Sequence, residues 1–432
     1  MCSACGMCGV VCPRQAIEFK FTSIGRLKAT VNNACINCGM CLNTCPSANT
    51  TFIEQNADDL FVGHIKSTYI GRATDALIYK NAQSGGVCTA ISYYLLENNV
   101  VDAVLVCQRT REGDITSRGY LVRDEKMLCH YQGSHYINTN ILSVLNKVNN
   151  DEKVAVIGLP CQIKAVTLYC ETYKKHINVV FKIGLICDRI HCKGYLDTIL
   201  SYCSDRVVNI YWRKKDFVDH GKYYPYKTAP IVLFDVNKKK HIIPNSFRFA
   251  IKDLFTSPRC RVCVDKLNVN ADIVLGDPWC MKGVDWEHGD SVLITRTDLG
   301  ESIIGDAIAR KSICCKKSNK EELIEGQFIE ERKKRVYLYS KVMRELSFRN
   351  IPYMTPIKER EFENVSDGLS YNQAFKDIKQ FIMMEHLPHF LVIKYAQYCV
   401  AQKTGVWHRS LALVHILNVF VHFLNKVKRI FK

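Results

Sequence analysis

Some absences narrow this chain before any motif is read. No G-x4-G-K-S/T run is present and no G-x-G-x-x-G follows a strand-like segment. A nucleoside-triphosphate loop and a Rossmann dinucleotide turn are therefore unsupported. Acidic residues are in deficit: 42 Asp and Glu face 59 Lys and Arg, a formal net charge of +17. An acidic protein partner, an anionic ligand or an anionic membrane surface fits that balance. With no basic low-complexity run and no nucleic-acid motif, nucleic acid ranks below all three. The opening residues lack the apolar segment of a secretion signal. Cysteine is abundant instead, 22 in 432 residues, whereas secreted disulfide scaffolds are small. A reducing cytoplasm is the expected compartment, one that protects exposed clusters from oxygen. The chain is too long for a lone electron carrier, and its length suggests two or three domains.

The cysteines are patterned. Residues 2–13 and 35–46 both read C-x2-C-x2-C-x3-C-P. In two-cluster bacterial ferredoxins the fourth cysteine of one motif ligates the other cluster. Thiolates are soft ligands suited to iron–sulfur cages. The spacing thus predicts one 4Fe–4S cluster on Cys2, Cys5, Cys8 and Cys45, and a second on Cys35, Cys38, Cys41 and Cys12. Gly6 and Gly39 let the loops wrap each cage, and Pro13 and Pro46 end the ligand runs. Zinc would require two C-x2-C pairs, not overlapping triplets followed by Cys-Pro. Ferredoxin-like domains carry a short strand before the first cysteine, and here only Met1 precedes it. Either the start is truncated, or the first cluster is more exposed and more labile.

Beyond the motifs, four regions are expected: a ferredoxin-like α+β domain over 1–50, a connector over 51–82, a main domain over 83–320, and a basic helical region over 321–432. The main domain alternates helix-like and strand-like segments. Helices are predicted at 84–99 and 161–173, and strands at 100–107, 153–158 and 177–187. That alternation argues for an α/β fold with a mixed, partly parallel sheet. Further strands near 207–213, 229–234, 272–276 and 291–296 should extend it.

Loops at the ends of these elements attract the chemistry. SGGVCT (84–89) opens a helix, and its adjacent glycines would offer backbone N–H groups to an anion or cofactor phosphate; a plain turn and cap is the alternative. GLPCQ (158–162) joins a strand to a helix. Cys161 and Cys187 both lie at C-terminal ends of neighbouring strands, the edge where α/β sheets collect cofactors. With the C-x2-C pair Cys260 and Cys263 they make four thiolates, enough for a third 4Fe–4S cluster. Cys192 is the rival fourth ligand. Cys107, Cys170, Cys203, Cys314, Cys315 and Cys399 read as ordinary thiols.

Together, the two cysteine motifs, SGGVCTA, QGSHY (132–136), VIGLPCQI (156–163), GLIC (184–187), CRVCVD (260–265) and ADIVLGDPW (271–279) resemble the coenzyme F420 hydrogenase/dehydrogenase beta-subunit family. The likeness runs from residue 1 to about residue 310. GDSVLITRTDLGESII (289–304) resembles its bacterial branch, some of whose members accompany cell-surface polysaccharide genes. The resemblance implies an iron–sulfur oxidoreductase containing FAD. It would place the flavin at Ser84, Gly85, Gly86, Thr89, Gly133, Ser134, Gly158, Pro160 and Gln162. Where family members show a Cys-His-Gly-like segment this chain has CDRIHC (187–192), so Asp188 and His191 are displaced candidates for proton transfer. No residue identifies a deazaflavin pocket, so binding of F420 is not carried over.

Three functions compete on this reading. One is a cytoplasmic enzyme taking electrons from a ferredoxin-type donor through the clusters and FAD to a small organic substrate. Another is a non-catalytic electron-transfer subunit with a redox partner. The third is an accessory protein of cell-surface polysaccharide synthesis docked on a membrane machine. Residues 331–432 hold 18 Lys and Arg against 8 Asp and Glu. Within them, 407–432 set a wide apolar face against a polar stripe of His408, His415, Asn418, His422, Asn425 and Arg429. The pattern predicts either a helix lying on the inner membrane face or one packed on the main domain.

Overall fold

The computed structural model describes residues 1–48, 60–109, 115–173, 177–219, 221–226, 228–348 and 369–405. The expected tail helix over 407–432 lies outside these. In chain order the first elements are α1 (Met7–Val11), β1 (Ile17–Phe21), β2 (Leu27–Val31) and α2 (Met40–Asn43). β1 and β2 form an antiparallel hairpin, Ile17 opposite Val31 and Phe21 opposite Leu27. Each cysteine motif thus supplies a loop and a short helix, with the hairpin between them.

The main domain continues with β3 (Ser67–Ala73), α3 (Ala76–Asn81), α4 (Val87–Glu97), β4 (Ala103–Arg109), β5 (Ser117–Val122), β6 (Lys153–Gly158), α5 (Pro160–Thr172), β7 (Asn178–Leu185) and α6 (Lys193–Leu200). Next come β8 (Val207–Tyr211), β9 (Phe217–Asp219), β10 (Lys222–Tyr224), β11 (Ile231–Asp235), β12 (Lys240–Ile243), α7 (Asn245–Ile251) and α8 (Pro258–Arg261). The domain closes with β13 (Ile273–Gly276), β14 (Ser291–Thr295), α9 (Asp298–Ala309) and β15 (Ile313–Ser318). Helices α10 (Lys320–Gly326), α11 (Ile329–Glu345), α12 (Tyr371–Glu385) and α13 (His389–Thr404) follow, as the charged sequence beyond 320 leads one to expect.

Eight strands form one sheet in the order β15-β3-β14-β13-β7-β6-β4-β5. β4, β6, β7 and β13 are parallel neighbours; β5, β14 and β15 pair antiparallel. Alternate strand residues serve opposite faces. Leu105, Val154, Val156, Val274 and Ile294 pack with Ile163 and Val166 of α5. Val104, Ala155, Ile183, Ile273 and Leu293 pack with α4 and with Ile303 and Ile304 of α9. Burial on both faces is why these strands read as continuous apolar runs.

Two expectations need correction. Residues 67–81 are not a connector, because β3 lies between β14 and β15 within the sheet. Gly71 hides it in the sequence: a Cβ there would meet the Cys314 carbonyl at 2.3 Å. The segments near 207–213 and 229–234 do not extend the main sheet either. β8 and β11 form a separate three-stranded sheet with β12, whose core includes α6, α7 and α13.

The cysteine-bearing module is docked firmly on this body. Gly6 sits at φ +105°, where a Cβ would lie 2.8 Å from the Ser143 backbone nitrogen, so only glycine fits. Beside it, Leu142 N–H donates to the Cys5 carbonyl at 3.1 Å, and Lys193 N–H donates to the Gly25 carbonyl at 2.7 Å. Arg26 grips Glu385 of α12 with two bonds of 2.8 and 3.1 Å. The Ser23 hydroxyl donates to the Glu385 carbonyl at 2.6 Å. Among the described residues no helix is long and apolar enough to cross a membrane.

Candidate functional site

The N-terminal thiols gather crosswise between the motifs. Burial pushes the Cys5 thiol up to about 12, and Cys45 and Cys2 add to the shift. Cys8 also reaches about 12, through burial and then Cys5, Cys2 and Cys45. Cys41 is raised by burial and feels Cys12, Cys38 and Cys35. So Cys45 stands with the first triplet and Cys12 with the second. Backbone N–H groups already point at sulfur: Ala4 to Cys2 at 3.3 Å, Ala16 to Cys12 at 3.2 Å and Asn37 to Cys35 at 3.4 Å. Cys35 and Cys38 are exposed, whereas Cys5 is buried, which gives the module an outer and an inner end.

Cys161, Cys187, Cys260 and Cys263 line a single cavity of about 240 Å³. Topology puts them there. Cys161 opens α5 directly after β6, and Cys187 follows β7, at the shared C-terminal edge of parallel strands. Cys260 lies in α8 and Cys263 just beyond it. Burial lifts the Cys161 thiol well above its ordinary range, with Cys5, Cys187, Cys260 and Cys263 adding. Cys187 is raised by burial and then by Cys260 and Cys263. Such thiols ionise only with a strong electrophile or cation at hand, which is what a metal centre supplies. Ser3 and Pro46 of the N-terminal module line the same cavity, and Cys161 feels Cys5, so the inner end of that module abuts it. Cys192 is fully buried in the core below α6 and does not line the cavity. Among the described residues no three His, Cys, Asp or Glu side chains converge as for a single metal ion. Thiols around a four-iron cage stand further apart than that.

The flavin candidates divide into two places. Ser84, Gly85 and Gly86 precede α4, whose N-cap, Gly86, supplies no side-chain bond. The Gly85 N–H donates to the Ser291 hydroxyl at 3.2 Å, and Thr89 lies in the first turn of α4. The 132–134 loop joins this place, since Ser134 N–H donates to Gln83 Oε1 at 3.1 Å. Gly133 has open space where a Cβ would stand, and the buried Gln132 Oε1 lacks a hydrogen-bond partner. Lys215 reaches the back of the same turn, donating to the carbonyls of Ser84 at 3.0 Å and Tyr79 at 2.6 Å. Gly158, Pro160 and Gln162 stand at the second place, beside the cysteine cavity. Pro160 lines it, Gln162 Oε1 accepts from the Leu159 N–H at 2.8 Å, and the Gly158 carbonyl accepts from Asn268.

The proton-transfer candidates have other occupations. The His191 ring stacks on Tyr195 with centroids 4.4 Å apart. Burial, helped by Arg189 and Arg248, lowers it to about 3, so it is neutral at physiological pH. Burial would raise the Asp188 carboxyl, but Arg189, Arg332, Lys266 and Arg335 outweigh it and hold it well below the usual range. A carboxylate so held does not act as a general acid near neutrality.

Several polar residues of the cavity wall were missed in the sequence, among them Asn138, Arg259 and Arg332. Arg259 donates to the Pro46 carbonyl at 3.3 Å, between the cavity and the inner module. Nothing in the spacing marks it. Arg332 sits in the charged run ERKKR, which reads as a solvated helix face. Its helical register with Ile329, Val336 and Tyr339 was the available signal.

Comparison with known proteins agrees with this geometry. Residues 68–146 match the N-terminal part of the coenzyme F420 hydrogenase/dehydrogenase beta-subunit family, and residues 151–321 match its C-terminal part. Residues 1–49 match a 4Fe-4S dicluster domain. The chain is 25% identical over 252 residues to coenzyme F420 hydrogenase subunit beta of Methanococcus voltae, covering 57% of this chain and 82% of that one. It is 26% identical over 324 residues to the coenzyme F420-dependent sulfite reductase of Methanocaldococcus jannaschii, 70% of this chain and 45% of that protein. The fold is similar to a chain of the F420-reducing NiFe hydrogenase complex from Methanosarcina barkeri, in its xenon-derivatized form. There the TM-score is 0.52 at 22% identity, over 68% of this chain and 98% of the other. Both halves of one family, joined to a dicluster module, establish that this chain belongs to the coenzyme F420 hydrogenase/dehydrogenase beta-subunit family as an iron–sulfur electron-transfer protein.

Proposed function

We propose that this chain is a flavin-containing oxidoreductase that passes electrons from a ferredoxin-type donor through three 4Fe–4S clusters to FAD and on to an organic substrate. The observation that carries this reading is the run of thiols from the exposed Cys35 and Cys38, through the buried Cys5, to Cys161 in the cavity. The cluster ligands would be Cys12, Cys35, Cys38 and Cys41 outside, Cys2, Cys5, Cys8 and Cys45 inside, and Cys161, Cys187, Cys260 and Cys263 in the cavity. FAD, when bound, collects single electrons and delivers them in pairs. Its phosphates would meet the first-turn backbone N–H groups of α4, Val87 to Thr89, with the Lys215 ammonium behind them. The open face at Gly133 leaves room beside them, and the unpaired Gln132 Oε1 would accept from a hydroxyl or amino group of the ligand. Docking of the N-terminal module through Gly6 and Arg26 fixes the separation between inner module and cavity, which a transfer path requires.

A second reading, an electron-transfer subunit of a larger complex, draws on a separate observation. Val31, Ile36 and Leu42, around the outer motif, are 61%, 59% and 60% exposed, an apolar rim suited to a redox partner. Relatives named as hydrogenase beta subunits are consistent with it. One experiment tests the electron path in either case. Anaerobically, reduced ferredoxin should bleach the flavin of the wild-type chain, and much more slowly that of Cys38→Ser. Equal rates would refute entry through the outer motif.

A further inference from the structure

Helix α11 buries Ile329, Val336, Tyr339, Val342 and Met343 along one face, and Arg332 shares it. Arg332 is only 3% exposed, and a guanidinium so buried must find acceptors. It finds three carbonyls. Nε donates to Cys263, Nη1 to Asp188 and Nη2 to Cys260, each at 3.0 Å. Those carbonyls belong to the two loops that carry Cys187, Cys260 and Cys263, and Arg332 itself lines the cavity they surround. Among the described residues no carboxylate is its own. The Asp188 carboxylate is 3.7 Å from it and is shared with Arg189 at 2.7 Å and Arg335 at 3.7 Å. The positive charge therefore faces the cavity without a private counter-ion.

We propose that Arg332 is a positioning residue that staples the ligand loops of the cavity cluster and raises that cluster's reduction potential. The inference rests on the reading that Cys161, Cys187, Cys260 and Cys263 hold a cluster. Reduction adds one negative charge inside the cavity. A fixed cation favours the added charge, and more strongly where water is excluded. The three forked N–H donors also hold both loops in one geometry, which a lysine ammonium cannot reproduce. α11 begins beyond residue 321, where the match to the family's C-terminal part ends. The poise thus comes from the chain's own C-terminal region.

The test is a potentiometric titration followed by electron paramagnetic resonance on the anaerobically purified full chain, with iron counted in each sample. R332Q should keep its iron on purification but release it to a chelator faster than the wild type, while the midpoint of the cavity cluster falls. R332K should stay nearer the wild-type midpoint, and D188N should move it upward. An unchanged release rate in R332Q overturns the stapling half. An iron-replete R332Q with the wild-type midpoint overturns the proposal. If R332Q sheds about four irons, the stapling half is supported and D188N decides the rest; an unmoved or lowered midpoint there overturns the electrostatic half. A Cys260→Ser chain that keeps all its iron would instead remove the cavity cluster itself, a failure separate from that of Arg332.

Discussion

Replacing Asp377 with alanine should destabilise the contact between the C-terminal helices and the cysteine cavity. Asp377 Oδ2 accepts from the Tyr339 hydroxyl at 2.5 Å and lies 3.5 Å from Arg261 Nη1. Its Oδ1 accepts from Gln373 at 2.7 Å. Arg261 stands between Cys260 and Cys263 with its side chain 2% exposed, so the substitution strands a buried cation. Removing one partner of a buried ion pair costs roughly 3–5 kcal/mol. Arg261 would keep the Tyr339 hydroxyl, at 2.7 Å, and the Asp253 carbonyl, which argues for the lower end, about 3 kcal/mol. Asp377→Asn keeps an acceptor but not the charge, and should lose less, about 2 kcal/mol. Anaerobic thermal unfolding by circular dichroism, with iron release followed in parallel, measures both. The ranking wild type, Asn, Ala is required. An alanine variant that melts with the wild type would refute the idea that this buried pair ties α12 to the cavity.

Other consequences follow from the same geometry. Cys161→Ser or Cys260→Ser should bleach one cluster and slow flavin reduction, whereas Cys170→Ser, which does not line the cavity, should leave the visible spectrum unchanged; equal effects at all three would undo the assignment. Reduction by ferredoxin should slow steeply as salt rises, because the net charge of +17 steers an acidic donor, and dithionite reduction should not follow that trend. Burial lowers the Lys215 ammonium to about 8, so it is a cation below that pH and neutral above. FAD affinity, measured by fluorescence quenching, should therefore weaken as pH rises through about 8, and Lys215→Met should abolish that dependence. A pH-independent affinity in the wild type would take Lys215 out of the flavin site.

Much of this was legible because the grouping of cysteines in space is written in their spacing. The two cysteine motifs predicted their crosswise grouping, and Cys161 with Cys187 could be placed at one sheet edge because each ends an apolar run of parallel-strand type. Choosing between Cys192 and the cavity cysteines needed the fold, since only packing shows that Cys192 faces the core beneath α6. β3 was lost to Gly71, where tight packing on β15 removes the side chain that would have signalled a strand. Asp188 and His191 looked available as isolated residue types. Of the cations that hold Asp188 ionised, Lys266, Arg332 and Arg335 come from elements far along the chain, while Arg189 and the Tyr195 stacked on His191 are near neighbours whose contacts only the fold sets.

A continuous set of cofactors within one chain fixes how much iron and flavin each chain must hold. Iron, acid-labile sulfide and released flavin should be counted in full-length protein purified anaerobically, beside Cys260→Ser. About twelve irons and one FAD are expected per wild-type chain, and about eight irons in the variant. About eight irons in both proteins, or iron without flavin, would contradict it.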